Sequence, residues 1–379
     1  MTESTTTSVL LAVEQLRRRV PGGIGAYARG LLGGLREASA EGQVVDVALL
    51  ASRAPGGQVD PLTAFGHPLR TSRLPSRLLT RAWDHGLSRA PAGFDVVHSV
   101  SLASPQLHGS SPERLVVTIH DVAWHRHPEA TTRRGRRWHE AALRRATRSG
   151  AALVVPSRLV AADLEGLGVA EDRITVIPSG ADHLPGPDAA ATDALLREAE
   201  VTTPFLLTVS TLEPRKNVER LERAFARVRD SLPGPWPLVI VGPTGWGPEL
   251  ASPPPADHVI FTGPVSEGVL SGLYHRASAF AYVPLTEGYG LPPLEAMRAG
   301  LPTVASEEVP SVHDLGAPEP APARIVDPLD VDDIARGLLE VLTDAARREA
   351  LSRRGVEYAA GRTWLSTARA HIDLWRSLR

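Results

Sequence analysis

Cysteine is absent from this chain of 379 residues, which excludes a disulfide framework and any thiolate metal site. Lysine is almost absent: Lys216 stands alone against 40 arginines. No apolar run approaches the ~18 residues that a bilayer span requires. The first apolar stretch is short, holds Glu14 and has no basic residues ahead of it, so no signal peptide is expected. These absences predict a cytoplasmic protein. Its length predicts two domains, each large enough to bury a core.

Charge is present but divided. Residues 1–185 carry a formal +5 and residues 186–379 a formal −7, within a total of −2. The two halves are therefore expected to meet different partners. Strand and helix patterns alternate in both, which predicts doubly wound α/β domains over 1–185 and 186–361, with Pro185 to Ala191 as the linker.

The densest chemistry lies in FAYVPLTEGYGLPPLEAMRAG, Phe280 to Gly300. Phe280 to Val283 reads as a short buried strand, and Pro292 and Pro293 mark a helix start that runs to Gly300. Glu287 projects from the loop between them, beside Gly288, Tyr289, Gly290 and Leu291, and Glu295 falls in the first turn of the helix. Glycines admit a ligand close to the backbone, and a helix N-terminus offers unpaired N–H groups and a positive dipole end. An anion flanked by hydroxyls, such as a sugar diphosphate, suits that apparatus. Upstream, STLEPRKN follows the strand Phe205 to Val209 and contains the single lysine. A compact ammonium with three donors, kept where every other basic residue is arginine, suggests a point charge aimed at a phosphate.

In the first half, the strand Val9 to Val13 leads through Arg17, Arg18 and Arg19 to a glycine-rich loop at Pro21 to Gly25. A helix is expected from Ala26 to Arg36. Gly23, Ile24, Gly25 and Ala28 fit the GxGxxA pattern of dinucleotide sites. However, the loop starts several residues past the strand, and the next strand, Val44 to Leu50, ends without the acid that would hold a ribose. Pro55 to Pro75 reads as a surface excursion. His120 and Asp121 follow the strand Leu115 to Ile119, at the end of a strand where open α/β sheets bind ligands. His125 and His127 lack a carboxylate cluster to complete a metal site, and Asp330 and Asp332 read as helix-start residues. Residues 131–150 form a basic amphipathic segment with Arg133, Arg137, Arg144 and Arg148 on one face. Such a face suits either solvent or an anionic membrane. Trp364 to Leu378 reads as a closing amphipathic helix.

EGYGLPPLE from Glu287 to Glu295, with EPRKN from Glu213 to Asn217, resembles the retaining nucleotide-sugar glycosyltransferases of family 4. PSGAD at Pro178 to Asp182 is similar to their PNGVD, with Ser179 for Asn and Ala181 for Val, and Ser311 stands where Glu is common. The resemblance implies the GT-B fold: two Rossmann-like domains facing across a cleft, with the C-terminal helix (362–379) crossing back to the first. It further implies transfer of a hexose from a nucleoside diphosphate sugar to an acceptor hydroxyl. GDP-mannose is favoured over UDP- or dTDP-sugars.

By the same resemblance Arg215 and Lys216 bind the diphosphate, with Glu213 orienting them, and Glu287 holds sugar hydroxyls. Glu295 holds the ribose, His120 lines the sugar pocket, Val265 lies near the base, and Gly23, Ile24 and Gly25 close over the diphosphate. No essential metal, cofactor or nucleic-acid partner is expected. The acceptor is left open among a lipid-linked glycan, a polysaccharide and a small molecule, with peripheral membrane contact through 131–150. The alternatives are a nucleotide-sugar epimerase on the same fold and a non-catalytic sugar-nucleotide-binding protein.

Overall fold

A computed structural model describes residues 6–18, 21–54, 59–107, 114–234, 236–245, 257–314 and 320–379. Arg19 and the start of the Pro55 excursion lie outside the described residues. The chain divides into two units, one of residues 1–124, 131–183 and 363–379, the other of 125–130 and 184–362.

The first unit is built on a parallel sheet of seven strands: β1 (Thr7–Ala12), β2 (Val45–Ser52), β3 (Leu69–Ser72), β4 (Val96–Ser99), β5 (Arg114–Thr118), β6 (Ala152–Val155) and β7 (Ile174–Val176). Their order is β3-β2-β1-β4-β5-β6-β7. Helices α1 (Gly22–Ala40), α2 (Ser76–Asp84), α4 (Arg133–Arg148) and α5 (Arg158–Gly166) cover it, α3 (Ala123–Arg126) follows β5, and α12 (Trp364–Ser377) closes the chain. Because both faces are covered, the central strands read as continuous apolar runs, as in Val9 to Val13, where every residue is fully or almost fully buried.

The second unit repeats the plan with β8 (Leu206–Val209), β9 (Leu238–Val241), β10 (Val259–Gly263), β11 (Ala279–Tyr282), β12 (Thr303–Ser306) and β13 (Arg324–Val326). Their order is β10-β9-β8-β11-β12-β13, again all parallel. Its helices are α6 (Ala189–Glu198), α7 (Val218–Arg229), α8 (Glu267–Arg276), α9 (Leu291–Arg298), α10 (Val331–Thr343) and α11 (Ala345–Ala360). In each sheet the strand order reverses once, between β1 and β4 and between β8 and β11. Loops leaving those strands diverge and leave a crevice at the carboxyl end of the sheet.

Four local expectations are corrected. Gly23, Ile24 and Gly25 are not a loop: α1 begins at Gly22, and Gly25 N already bonds to Pro21 O at 3.1 Å. Pro21 starts the helix because its fixed φ of −67° is helical and its missing N–H is not needed there. Glu295 is the fifth residue of α9 rather than part of its first turn, since Leu291 and the two prolines are themselves helical. The surface excursion contains β3, which pairs with β2 from Leu49↔Leu69 to Ser52↔Ser72. The linker is partly helical, because the Asp188 side chain caps Ala191 N and starts α6 inside it. Asp330 is a helix cap, accepting from the backbone of Asp332 and Asp333.

The last helix joins the first unit through glycines. A Cβ on Gly34 would lie 2.1 Å from the Trp364 carbonyl oxygen, and one on Gly180 would lie 2.2 Å from Trp364 N. The side chains of Asp182 and Thr367 then tie α12 in place, through Trp364 N→Asp182 Oδ1 and Thr367 Oγ1→Pro178 O, both 2.8 Å. A paired substitution tests this close approach. Gly34→Ala is expected to lower unfolding stability by about 1–3 kcal/mol through overpacking against backbone. Gly33→Ala, whose Cβ meets nothing within 4 Å, is expected to be neutral or to stabilise by up to about 1 kcal/mol. Equal effects of the two in denaturant titrations would contradict it.

Candidate active site

The crevice of the second sheet is formed by the loops after β8 and β11, and these carry the predicted residues. Pro214–Lys216 makes one turn of 3₁₀ helix, and Asn217 then takes a left-handed conformation with φ 58°. Such a φ is costly for most residues but tolerable for Asn. Its buried amide fixes the loop by donating to Val283 O at 2.9 Å and Pro328 O at 2.8 Å. Leu285 N donates to Arg215 O at 2.8 Å and stitches the two loops together.

So held, Arg215 and Lys216 reach Glu287. Arg215 Nη1 donates to Glu287 Oε1 at 3.0 Å, and Lys216 Nζ forms an ion pair with the same oxygen. Arg215 Nε is paired with Glu213 at 2.8 Å. The four charges, two of each sign, are thereby balanced. Burial by itself would raise the Glu287 carboxyl, but the neighbouring Lys216 and Arg215 charges outweigh it and hold the group at about 2. Burial pushes the Lys216 ammonium the other way, below the usual lysine range, with Arg215 adding to the shift and Glu287 opposing it.

Glu295 is set apart from this cluster. It is 7% exposed and accepts from the Tyr274 hydroxyl at 2.9 Å. Tyr274 meets Phe280 edge-on at 5.6 Å between ring centroids, and Phe280 stacks on Tyr282 at 6.2 Å. Phe280 and Tyr282, two apart on β11, share one face of the strand. Tyr282 donates to Glu287 Oε1 at 2.8 Å. Three aromatic rings thus separate the two carboxylates. Gly290, with φ 94°, begins α9, and a Cβ there would lie 2.6 Å from Val309 Cγ1. Ser311 pins the preceding loop: its N–H donates to Tyr289 O at 2.8 Å and its hydroxyl to Gly290 O at 2.6 Å. Gly288 is buried beside them, Leu291 is half-buried, and Val265 sits half-buried in the β10–α8 loop without a polar side chain to add.

His120, Gly23, Ile24 and Gly25 belong to the first unit. His120 and Ile24 line a cavity of about 580 Å³ at that sheet's own reversal, with Gln15, Arg18, Arg134 and Trp138 among its other walls. His120 Nε2 lies 2.8 Å from Val100 O. A carbonyl only accepts, so Nε2 carries the proton and Nδ1 keeps a lone pair. Burial lowers the pKa of the ring, against the Val100 bond and the Asp121 charge. Behind it, Tyr27 packs edge-on at 4.7 Å and bonds to His371 Nε2 at 2.8 Å. Thr118 links Tyr27 to His98, whose ring stacks on His371 at 5.4 Å.

The Arg133, Arg137, Arg144 and Arg148 face of α4 is exposed. Arg145, by contrast, turns inward to Asp84 at 2.5 Å. Among the described residues no helix is long and apolar enough to cross a membrane, and no group of three or more potential ligands is placed to hold a metal ion.

Two family models match the chain: "Glycosyltransferase Family 4" over residues 21–183 and "Glycosyl transferases group 1" over residues 197–358. The O-antigen chain mannosyltransferase B of Escherichia coli is 28% identical over 277 residues, covering 70% of this chain and 71% of that protein. A GDP-mannose-dependent alpha-(1-6)-phosphatidylinositol monomannoside mannosyltransferase of Mycobacterium tuberculosis is 33% identical over 199 residues, 48% of each chain. A match to the serotype-specific mannosyltransferase WbdA of E. coli takes in only 24% of that longer protein. Among solved structures, Anabaena HepE in complex with UDP and glucose superposes with a TM-score of 0.70 at 16% identity, covering 98% of this chain and 100% of that one. This likeness shows the fold, which is GT-B.

The buried histidines generate a pH prediction. His371 Nδ1 faces Thr367 O at 2.8 Å, Nε2 accepts from Tyr27, and burial lowers the ring to about 4. A depressed histidine contributes no penalty above the unfolded value near 6.5. As pH falls from there towards 4, the unfolded chain binds a proton that the folded one refuses. Stability is therefore expected to drop by about 2–3 kcal/mol over that window. The slope should be visibly shallower in His371→Gln, and equal slopes in denaturant titrations from pH 7.5 to 4.5 would contradict the assignment.

Proposed function

Because the chain belongs to the family 4 glycosyltransferases, we propose that it transfers a hexose, with retention, from a nucleoside diphosphate sugar to an acceptor hydroxyl. The observation that carries this reading is the single lysine. Its side chain, 11% exposed, lies beside Arg215 at the reversal of the second sheet, where α/β sheets bind phosphorylated ligands.

Breaking the bond between the anomeric carbon and the diphosphate oxygen leaves negative charge on the diphosphate. Donors fixed in place before the reaction stabilise that charge at no cost in reorganisation. Arg215 and Lys216 supply two cations, and the start of α9 behind Gly290 offers the Leu291 N–H, the two prolines after it having none. These charges stand where other enzymes use a metal ion. Glu287 is engaged on both cations through Oε1, which suits it to hold a sugar hydroxyl rather than to attack carbon. We favour a front-face substitution: the acceptor oxygen bonds to the anomeric carbon on the side the diphosphate leaves, and its proton passes to the departing phosphate oxygen. Glu295, fixed by Tyr274, is assigned to the ribose. The cavity of the first unit is assigned to the acceptor, and His120 on its wall, with its Nδ1 lone pair, to the transferred sugar.

Mannose is the favoured sugar, and GDP the favoured nucleotide. The names of the relatives support both: two are mannosyltransferases of E. coli, and one in M. tuberculosis is GDP-mannose-dependent.

Lys216→Ala is expected to lower turnover of GDP-mannose by about 100- to 1,000-fold, the range for loss of one transition-state donor. The measurement is made with a chelator present. Activity within about threefold of the wild type would refute the role of Lys216, and wild-type activity abolished by the chelator would refute the metal-free reading.

A further inference from the structure

Three donors converge on one oxygen of Glu287, and only two of them are cations. The third, the Tyr282 hydroxyl, accepts from Lys216 Nζ at 2.7 Å and spends its own proton on Glu287 Oε1 at 2.8 Å. Tyr282 is 3% exposed, its ring rests on Phe280, and the ammonium lies 5.2 Å from the ring centroid. Among the described residues no hydrogen bond falls on Glu287 Oε2. A buried hydroxyl bonded on both sides to charged groups is costly to form by chance, since either bond left unmade would strand a polar atom.

We propose that Tyr282 is a positioning residue for the reaction: it keeps the Glu287 carboxylate ionised and oriented when the diphosphate draws Arg215 and Lys216 towards itself. The inference rests on the assignment of those two residues to the diphosphate. Two cations respond to any second anion that enters the site. A hydroxyl with one proton, already committed to Oε1, does not. Its hold leaves Oε2 directed at the ligand throughout turnover, free to accept from a sugar hydroxyl. In the sequence, Tyr282 is the one polar side chain of the strand AFAY and stands at its carboxyl end, where β11 opens into the crevice.

The groups facing Glu287 are few, which makes the consequence readable in a pH profile. Arg215 and Lys216 approach from the β8 loop, with Glu213 behind Arg215, and Tyr282 approaches from β11. Beyond Phe280 stand Tyr274 and Glu295. Burial favours the protonated acid; once the diphosphate shares the two cations that hold the empty site low, the carboxyl rises into the assayed range, and the Tyr282 bond is what opposes it. Removing a donor from a carboxylate raises its pKa, so the acid limb of activity must move to higher pH.

The experiment compares hydrolysis and transfer of GDP-mannose by the wild type, Tyr282→Phe and Phe280→Leu from pH 4 to 8, with melting temperatures alongside. For Tyr282→Phe the expected result is a fall in kcat of about tenfold or more. Its KM for GDP-mannose should stay within about threefold, and its acid limb should rise by about one pH unit. Phe280→Leu disturbs the same ring stack without touching the hydroxyl and should lower the melting temperature while leaving the acid limb in place. A Tyr282→Phe enzyme with wild-type kcat and acid limb would overturn the inference. So would one whose loss is matched by Phe280→Leu, with neither limb moved. A wild type that neither binds GDP nor consumes GDP-mannose or UDP-glucose would instead overturn the donor assignment itself, and this inference with it.

Discussion

Two cations and two carboxylates can be withdrawn from water only as a set, and that constraint organises the second half of this protein. An unpaired charge in such a site costs several kcal/mol after relaxation, so Glu213, Arg215, Lys216 and Glu287 depend on one another. Their side chains meet because two loops meet, and the loops meet because β8 and β11 are neighbours in the sheet. Asn217 converts that adjacency into a fixed geometry, with one amide serving two carbonyls on different loops. Gly290 and Ser311 do the same on the other side, through a backbone turn that no side chain could occupy. The result is a charge-balanced site whose two cations are fixed before any ligand arrives, which is the arrangement electrostatic catalysis needs.

The first unit solves a different problem with the same topology. Its buried polar chain runs His98, Thr118, Tyr27, His371, from two central strands through α1 to the last helix. These groups are kept neutral by burial and bonded to one another, with His98 Nδ1 left without a partner among the described residues, and the chain fixes α12 against α1. His120 lies at the open end of this assembly, packed on Tyr27. The orientation of His120 on the cavity wall is thus secured by residues remote from it in sequence.

What could be read from the chain follows from how local each signal is. Glu287, the glycines after it and the lysine among arginines announce themselves within a few residues, and α/β alternation is written in apolar runs. The pairing of Lys216 with Glu287, 71 residues apart, was legible only through a resemblance. Tyr282 was not legible at all, because a tyrosine ending a buried strand looks like one more core aromatic until its hydroxyl is seen between two charges. Periodicity also misplaced boundaries. Glycines suggested a loop where Pro21 had already started α1. A stretch rich in Gly and Pro hid β3, whose edge position lets it be short and half-exposed. Ser311 looked like a departure from a pattern, and the structure gives it a task of its own in holding the Tyr289–Gly290 backbone.

The same scarcity that drew attention to Lys216 makes it a unique probe. With ¹⁵N-labelled lysine the protein has one side-chain ammonium to observe, and that nitrogen is the group held to engage the donor's diphosphate. On addition of GDP-mannose to the intact wild-type chain, the account predicts a shift of this single resonance, saturating with the nucleotide sugar. An unperturbed lysine signal in an enzyme that is turning over GDP-mannose would contradict it.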